Sequence, residues 1–245
     1  MRMATRRIPL INNEIYHIII RGVSDSLIFK NDKDRYRAIF SLYEFNNRKH
    51  VDIRAKREEQ RRKKKTKVRP SEIYKNIPRE NERDLLVDIL AFCFMPNHVH
   101  LLLRQIRDGG ISMFMRKFGT GYASYFNKKY KRQGYLLQGR FKSVHIKTNN
   151  QLKAIFSYIH TNPVALIEFN WKENEIRNYR NVIKFLENYR WSSYLDYIGK
   201  ENFPSVTKRK FLIETMGGKR GCISFVNDWL KHKTKTKEFS DILIE

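Results

Sequence analysis

Two histidines one residue apart, in Asn97-His98-Val99-His100-Leu101, offer the first chemistry in this sequence. The apolar residues around them read as a strand, in which successive side chains alternate faces, so both imidazoles point one way and Val99 the other. Side-by-side imidazoles make a ligand pair for a divalent cation, and neutral nitrogen completed by oxygen donors suits manganese, magnesium or zinc with little discrimination. A second constellation lies downstream, where Tyr158 and Asn162 stand four residues apart in a helical segment and so stack on one face. A phenol can attack a phosphodiester and hold the product as a phosphotyrosine. Its ordinary pKa of about 10 means that a metal or a base must help. The Asn162 amide oxygen could be the third ligand, so that one helix would deliver nucleophile and ligand together. The bland roles for the same residues are structural: packed histidines, a core tyrosine, and an asparagine ending a helix before Pro163.

The elements that must position these groups follow from periodicity. Ile15 to Gly22 is β-branched and aromatic and ends in glycine, so it reads as a strand with His17 as a packed or edge residue. Asp32 to Asn47 repeats Tyr36, Ile39, Phe40, Leu42, Tyr43 and Phe45 at helical spacing. Leu85 to Met95 reads as a buried strand, Pro96-Asn97 as a turn, and His98 to Arg104 as its hairpin partner. Ile111 to Lys131 is a helix with the aromatic stripe Phe114, Phe118, Tyr122, Tyr125 and Phe126, read as core, and with Gly119 and Gly121 as its weak points. A strand begins near Phe141 and runs to Ile146, and Asn149 to Asn162 is the helix that carries Tyr158. After Tyr194 one or two small helical pieces precede a polar tail from Lys231. The order strand, helix, strand, strand, helix, strand, helix predicts an α+β fold, a ferredoxin-like antiparallel sheet with helices packed on it.

Composition bounds the partner. The 245 residues carry 50 Lys and Arg against 25 Asp and Glu, a net charge of +25, with 41% hydrophobic content, enough to bury a core. No run approaches the roughly 18 apolar residues needed to cross a bilayer. The N-terminus has no uninterrupted apolar core or cleavage site of a secretory signal, so a cytoplasmic location is expected. Cys93 and Cys222 lack any paired spacing. A charge this large calls for a polyanion. Residues 48 to 70 hold twelve Lys and Arg, among them Arg61, Arg62, Lys63, Lys64 and Lys65, against three acidic residues; this is +9 and leaves +16 on the other 222 residues. The basic run is either a solvated loop or an arm that contacts DNA phosphates. Arg140 and Lys142, flanking Phe141, are further phosphate-contact candidates, while His145, His160 and Trp191 read as structural.

Taken together, these motifs resemble a family. Met95-Pro96-Asn97-His98-Val99-His100-Leu101-Leu102 is similar to the HUH motif (histidine, bulky hydrophobic residue, histidine) of single-tyrosine transposases of the insertion-sequence-200 type. Tyr158-Ile159-His160-Thr161-Asn162-Pro163-Val164 resembles their nucleophile helix, and Gly139-Arg140-Phe141 with Tyr189-Arg190-Trp191-Ser192-Ser193-Tyr194 resembles the REP-associated branch. The resemblance covers about residues 10 to 198, with a basic insertion at 48–83 and a helical or flexible extension over 199–245. It implies an HUH endonuclease fold in which His98 and His100 bind Mg²⁺ or Mn²⁺. Tyr158 would cleave single-stranded DNA, leaving a 5′-phosphotyrosine and a free 3′-hydroxyl, in DNA transposition or REP-hairpin processing. Asn162 stands where relatives carry a Gln ligand. The implied partner is single-stranded or hairpin DNA, bound by a monomer or homodimer and without a membrane. The connection at 48–83 and the segment from Phe169 to Tyr189 are both longer than the family pattern.

Two other functions use the same residues. A non-catalytic hairpin DNA or RNA binding protein derived from a transposase needs only basic grooves and stacking aromatics. A metal phosphoesterase with activated water would use His98 and His100 but form no protein-linked product. For the basic run, deletion of residues 48–70 separates the two roles: a flatter salt slope of DNA binding marks a phosphate-contacting arm, and an unchanged slope marks a solvated loop.

Overall fold

The computed structural model describes residues 9–53, 55, 56, 58, 83–171, 173–231, 239, 242 and 243. Most of the predicted insertion, with Arg61, Arg62, Lys63, Lys64 and Lys65, lies outside the described residues. Four strands form one antiparallel sheet: β1 (Ile15–Arg21), β2 (Val87–Phe94), β3 (His98–Gln105) and β4 (Lys142–Ile146), in the order β2-β3-β1-β4. With α1 (Asp32–Phe45) after β1 and α2 (Gly110–Tyr130) after β3, this is the ferredoxin-like α+β arrangement that the element order predicts.

Alternation along β1 and β3 gives the sheet two unlike faces. Tyr16, Ile18 and Ile20 on β1 pair with Leu103, Leu101 and Val99 on β3, and this apolar face is covered by α1 and α2. The buried stripe Phe114, Phe118, Tyr122 and Phe126 of α2 joins that core; Tyr125 is only half-buried, its hydroxyl donating to Asp34 at 3.1 Å. Gly119 and Gly121 do not break α2. At Gly121 a Cβ would stand 2.3 Å from the Phe45 ring, so the missing side chain is what lets α1 and α2 approach. Asp34, in the capping box of α1, also accepts from Lys129 at 2.5 Å and Tyr130 at 2.8 Å on α2, which fixes the two helices together.

The opposite face is covered by α3 (Asn149–Thr161). Thr148 caps its first turn by accepting from the Gln151 backbone N–H at 3.1 Å. Asn162 is its C-cap, and the chain continues past Pro163 as one 3₁₀ turn, Asn162–Leu166. Beyond it lie α4 (Tyr179–Leu186), α5 (Tyr194–Tyr197), α6 (Lys210–Thr215) and α7 (Gly218–Lys231). The C-terminal part is more integral than its composition suggests. Cys222, Val226, Trp229 and Leu230 form a buried stripe on α7, and the Ser157 hydroxyl of α3 donates to the Phe225 carbonyl at 3.1 Å. At roughly 1.5–3 kcal/mol for each large apolar side chain buried, this stripe holds α7 against α3. Ile242, in the tail read as polar, is 1% exposed. Among the described residues no helix is long and apolar enough to cross a membrane.

The exposed edge of β2 is closed by the segment after α4. Phe94 donates its N–H to the Trp191 carbonyl at 2.8 Å, Ser193 donates to the Phe92 carbonyl at 3.0 Å, and the Tyr189 hydroxyl donates to the Phe94 carbonyl at 2.7 Å. The Tyr-Arg-Trp-Ser-Ser stretch therefore satisfies an edge that would otherwise invite pairing with another chain. At the turn of the hairpin Gly22 donates to the Asn97 carbonyl at 2.8 Å, and a Cβ there would stand 2.2 Å from the Ser26 carbonyl oxygen. Backbone on both sides of that contact has nowhere to go. Gly22→Ala is expected to lower stability by about 1–3 kcal/mol, read as a lower midpoint of urea denaturation with an unchanged slope.

Candidate functional site

The polar face of the sheet gathers the histidines because the register puts them there. In the β1–β3 pairing, Arg21 stands opposite His98, Ile19 opposite His100 and His17 opposite Leu102, so His17, Arg21, His98 and His100 share one face. The Nε2 atoms of His98 and His100 are 3.0 Å apart. His98 Nδ1 lies 2.7 Å from Asn97 Oδ1, and an amide oxygen only accepts, so the proton sits on Nδ1 and the Nε2 lone pair turns inward. On the far side of His100, its Nδ1 lies 3.0 Å from His17 Nε2, and the two rings stack at 5.3 Å with 10° between planes. His17 Nδ1 lies 3.3 Å from the Ile242 carbonyl oxygen. Burial pulls the His17 pKa down from 6.5 to about 4, against the raising effect of that carbonyl.

Tyr158 sits over this group. Its ring meets His100 edge-to-face at 5.6 Å and His17 at 5.9 Å. The phenol is only 3% exposed, so the site is closed in this form. Burial raises the Tyr158 pKa well above its ordinary value of 10; a hydrogen bond from the Asn162 side chain and the positive charge of Arg21 oppose that rise without cancelling it. Asn162 Nδ2 donates to the Tyr158 carbonyl at 2.8 Å, which holds the amide beside the nucleophile and leaves Oδ1 as its remaining donor atom toward a cation.

The structure thus brings His98, His100, Tyr158 and Asn162 onto one face of the sheet under one helix. Lys142, at the start of the edge strand, pairs opposite Ile19 and so lies on that same face, exposed. Arg140 lies elsewhere. It lines a cavity of about 870 Å³ between α2 and the 134–143 segment, together with Ile20 and Ser143 from the apolar side of the sheet. His145 is structural: its Nε2 is 2.7 Å from Glu14, and its ring stacks on Tyr16 at 4.9 Å. His160 is structural too and wholly buried, with Nε2 2.8 Å from the Ser193 hydroxyl. Of two further residues at the site, His17 was read from sequence as a packed or edge residue and Arg21 was given no role. His17 and Arg21 had parity in their favour, two and six places from Ile15 along one strand, but parity alone does not say which strand lies alongside.

The donor set fits a divalent cation. Two imidazole nitrogens 3.0 Å apart can both lie at about 2.0–2.1 Å from one ion, the usual metal–nitrogen distance. Among the described residues no group of three or more His, Cys, Asp and Glu is arranged to hold a metal. With this pair, further ligands could be carboxamide, substrate or water oxygens, a mixed set that would suit magnesium or manganese.

A family model matches just under half of the chain. The model described as transposase, IS200 like, matches residues 45–162, the stretch that contains His98, His100, Tyr158 and Asn162. No curated protein matches the chain. A solved structure described as a REP-associated tyrosine transposase bound to a REP hairpin is 15% identical, covers 82% of this chain and 89% of its own, and has a TM-score of 0.47.

The buried His160 carries a pH signature. Desolvation lowers its pKa from 6.5 to about 3, so the folded state keeps it neutral where the unfolded chain already takes up a proton. Its contribution is intact above pH 6.5 and is lost as the pH falls from there toward about 3, with a slope of about 1.4 kcal/mol per pH unit. In His160→Asn the fall in stability over that window should be shallower by about one proton, measured by urea denaturation at a series of pH values.

Proposed function

We propose, from the match of residues 45–162 to the IS200-like transposase model, that this protein cleaves and rejoins single-stranded DNA through Tyr158 with a divalent metal at His98 and His100. The observation that carries this reading is the convergence of two imidazole nitrogens, 3.0 Å apart, beneath a tyrosine ring 5.6 Å from His100. A packed tyrosine needs no such partners, and a surface histidine pair needs no tyrosine.

His98, His100 and the Asn162 amide oxygen would hold the cation. When bound, magnesium or manganese would supply Lewis-acid stabilisation to a non-bridging phosphate oxygen. The chain's own residues do the rest. Tyr158 attacks phosphorus through its phenolic oxygen, the bond from phosphorus to the 3′-oxygen breaks, and the phenolic proton is balanced by the proton that the leaving 3′-oxygen gains. The products are a 5′-phosphotyrosine and a free 3′-hydroxyl. Rejoining runs the same exchange backwards with another 3′-hydroxyl, so no nucleotide cofactor is needed. Asn162 holds the nucleophile's helix end and donates toward the phenol, while Arg21 favours the phenolate electrostatically.

The partner on this reading is single-stranded or hairpin DNA, recognised largely through phosphates. Support comes from the charge: +25 in all, of which +16 lies outside residues 48–70. The non-catalytic alternative draws on one observation, the closed site with a phenol held protonated.

Incubation of the protein with labelled single-stranded hairpin DNA and manganese should give a covalent adduct on a denaturing gel. Tyr158→Phe should give none; an equal adduct from that variant, or none from wild type, defeats the nucleophile assignment. His98→Ala should lose cleavage by about a hundredfold or more while salt-sensitive DNA binding stays within about twofold. Cleavage without an adduct would point to activated water instead.

A further inference from the structure

We propose that His17 is a positioning residue that fixes the tautomer of His100, with the Ile242 carbonyl as the fixed end of the relay. The inference rests on the proposed metal role of His100, and it follows from donor and acceptor logic along one line of atoms. A carbonyl oxygen has no proton to give. At 3.3 Å from it, His17 Nδ1 must be the donor. His17 is wholly buried, which favours the uncharged ring, and a neutral ring protonated on Nδ1 presents its lone pair at Nε2. His100 Nδ1, 3.0 Å away, must therefore donate to it, which leaves His100 Nε2 without a proton and facing His98 Nε2.

The reverse polarity would set the His17 Nδ1 lone pair against the carbonyl lone pairs in a buried place. His98 is fixed in the same sense from its other side by Asn97, with which it shares a 2.7 Å contact. The two relays meet at the 3.0 Å contact between the Nε2 atoms of His98 and His100, which one shared proton bridges in the metal-free protein and a shared cation would replace. Outer partners of this kind, which orient a ligating imidazole through its second nitrogen, change metal affinity by about 10–100-fold when removed.

The stacking of His17 on His100, with 10° between the rings, adds a geometric constraint, since the ring is held flat against its neighbour while the hydrogen bond holds its edge. His17 also meets the Tyr158 ring at 5.9 Å, so it borders the nucleophile without standing between it and the histidine pair. The backbone end of the relay comes from a segment 225 positions away in sequence.

The test reads tautomers in the metal-free protein by long-range proton–nitrogen correlation of the imidazoles, and manganese affinity by calorimetry. In wild type His100 should carry its proton on Nδ1. His17→Phe, which keeps a ring but no nitrogen, should move the His100 proton toward Nε2 and weaken manganese binding about 10–100-fold. His17→Gln, whose amide can both accept and donate, should restore the Nδ1 proton and recover affinity to within a few-fold. An Nε2 proton on His100 in wild type overturns the proposal, whether or not the phenylalanine variant folds; so does His17→Phe with unchanged tautomer and affinity. If wild type shows the Nδ1 proton but binds no manganese, the metal reading fails while the relay stands.

Discussion

The site depends on the register of β1 against β3. Because side chains alternate with a period of two, a slip of one residue would carry His17 and Arg21 to the face packed by α1 and α2 and bring Ile18 and Ile20 to the site. What prevents the slip is the apolar face. Tyr16, Ile18 and Ile20 with Val99, Leu101 and Leu103 are all nearly or wholly buried, and each would lose roughly 1.5–3 kcal/mol on being turned out. The hydrophobic core thus sets the geometry of a polar site on its other side. The 3.0 Å separations within the histidine group are consequences of a packing energy that the histidines do not themselves supply.

The nucleophile's helix is held by a different means. α3 is tied to α7 through Ser157 and to the segment along β2 through His160 and Ser193, and that segment is bonded to β2 at Phe92 and Phe94. A stretch some thirty residues beyond Tyr158 thereby closes a sheet edge and locates the helix above the sheet at once. His160 faces away from Tyr158 around α3, as its offset of two residues requires, and works on the packing side while Tyr158 works on the site side.

Much of this was legible in the sequence, and the illegible part has physical causes. Apolar and β-branched runs bounded by turn residues located the strands, of which β2 is buried along its whole length, and period-3.6 patterns located the three long helices that cover the sheet, because burial on one helix face imposes that period directly. The pair His98 and His100 and the pair Tyr158 and Asn162 were legible because each lies within one element. His17 was not, since its meaning depends on which strand lies beside it and in what register, a relation between residues 83 positions apart. For α7 the stripe Cys222, Val226, Trp229 and Leu230 was present in the sequence but sits among charged residues, so the composition of the tail masked the periodicity. Arg140 illustrates the converse: adjacency to a strand start says nothing about the face, and the cavity it lines opens on the side away from the histidines.

Burial of Tyr158 at first argues against a nucleophile, since desolvation holds the phenol protonated. The same desolvation changes how much a nearby charge counts. Two unit charges about 4 Å apart interact by about 1 kcal/mol in water but by about 4 kcal/mol at the effective dielectric near a protein surface. In the closed form the positive charge that acts on Tyr158 comes from Arg21, whose guanidinium is shared with Asp25 at 2.7 Å. Its effect on the phenol is smaller than that of the burial. Under the proposed function the balance shifts when a cation is held by His98 and His100, because its charge then acts on the phenol across the same low-dielectric space. On that reading a buried tyrosine beside the histidine pair would be inert without the cation and activated with it, whereas an exposed tyrosine, screened by water, would respond to the same cation far less.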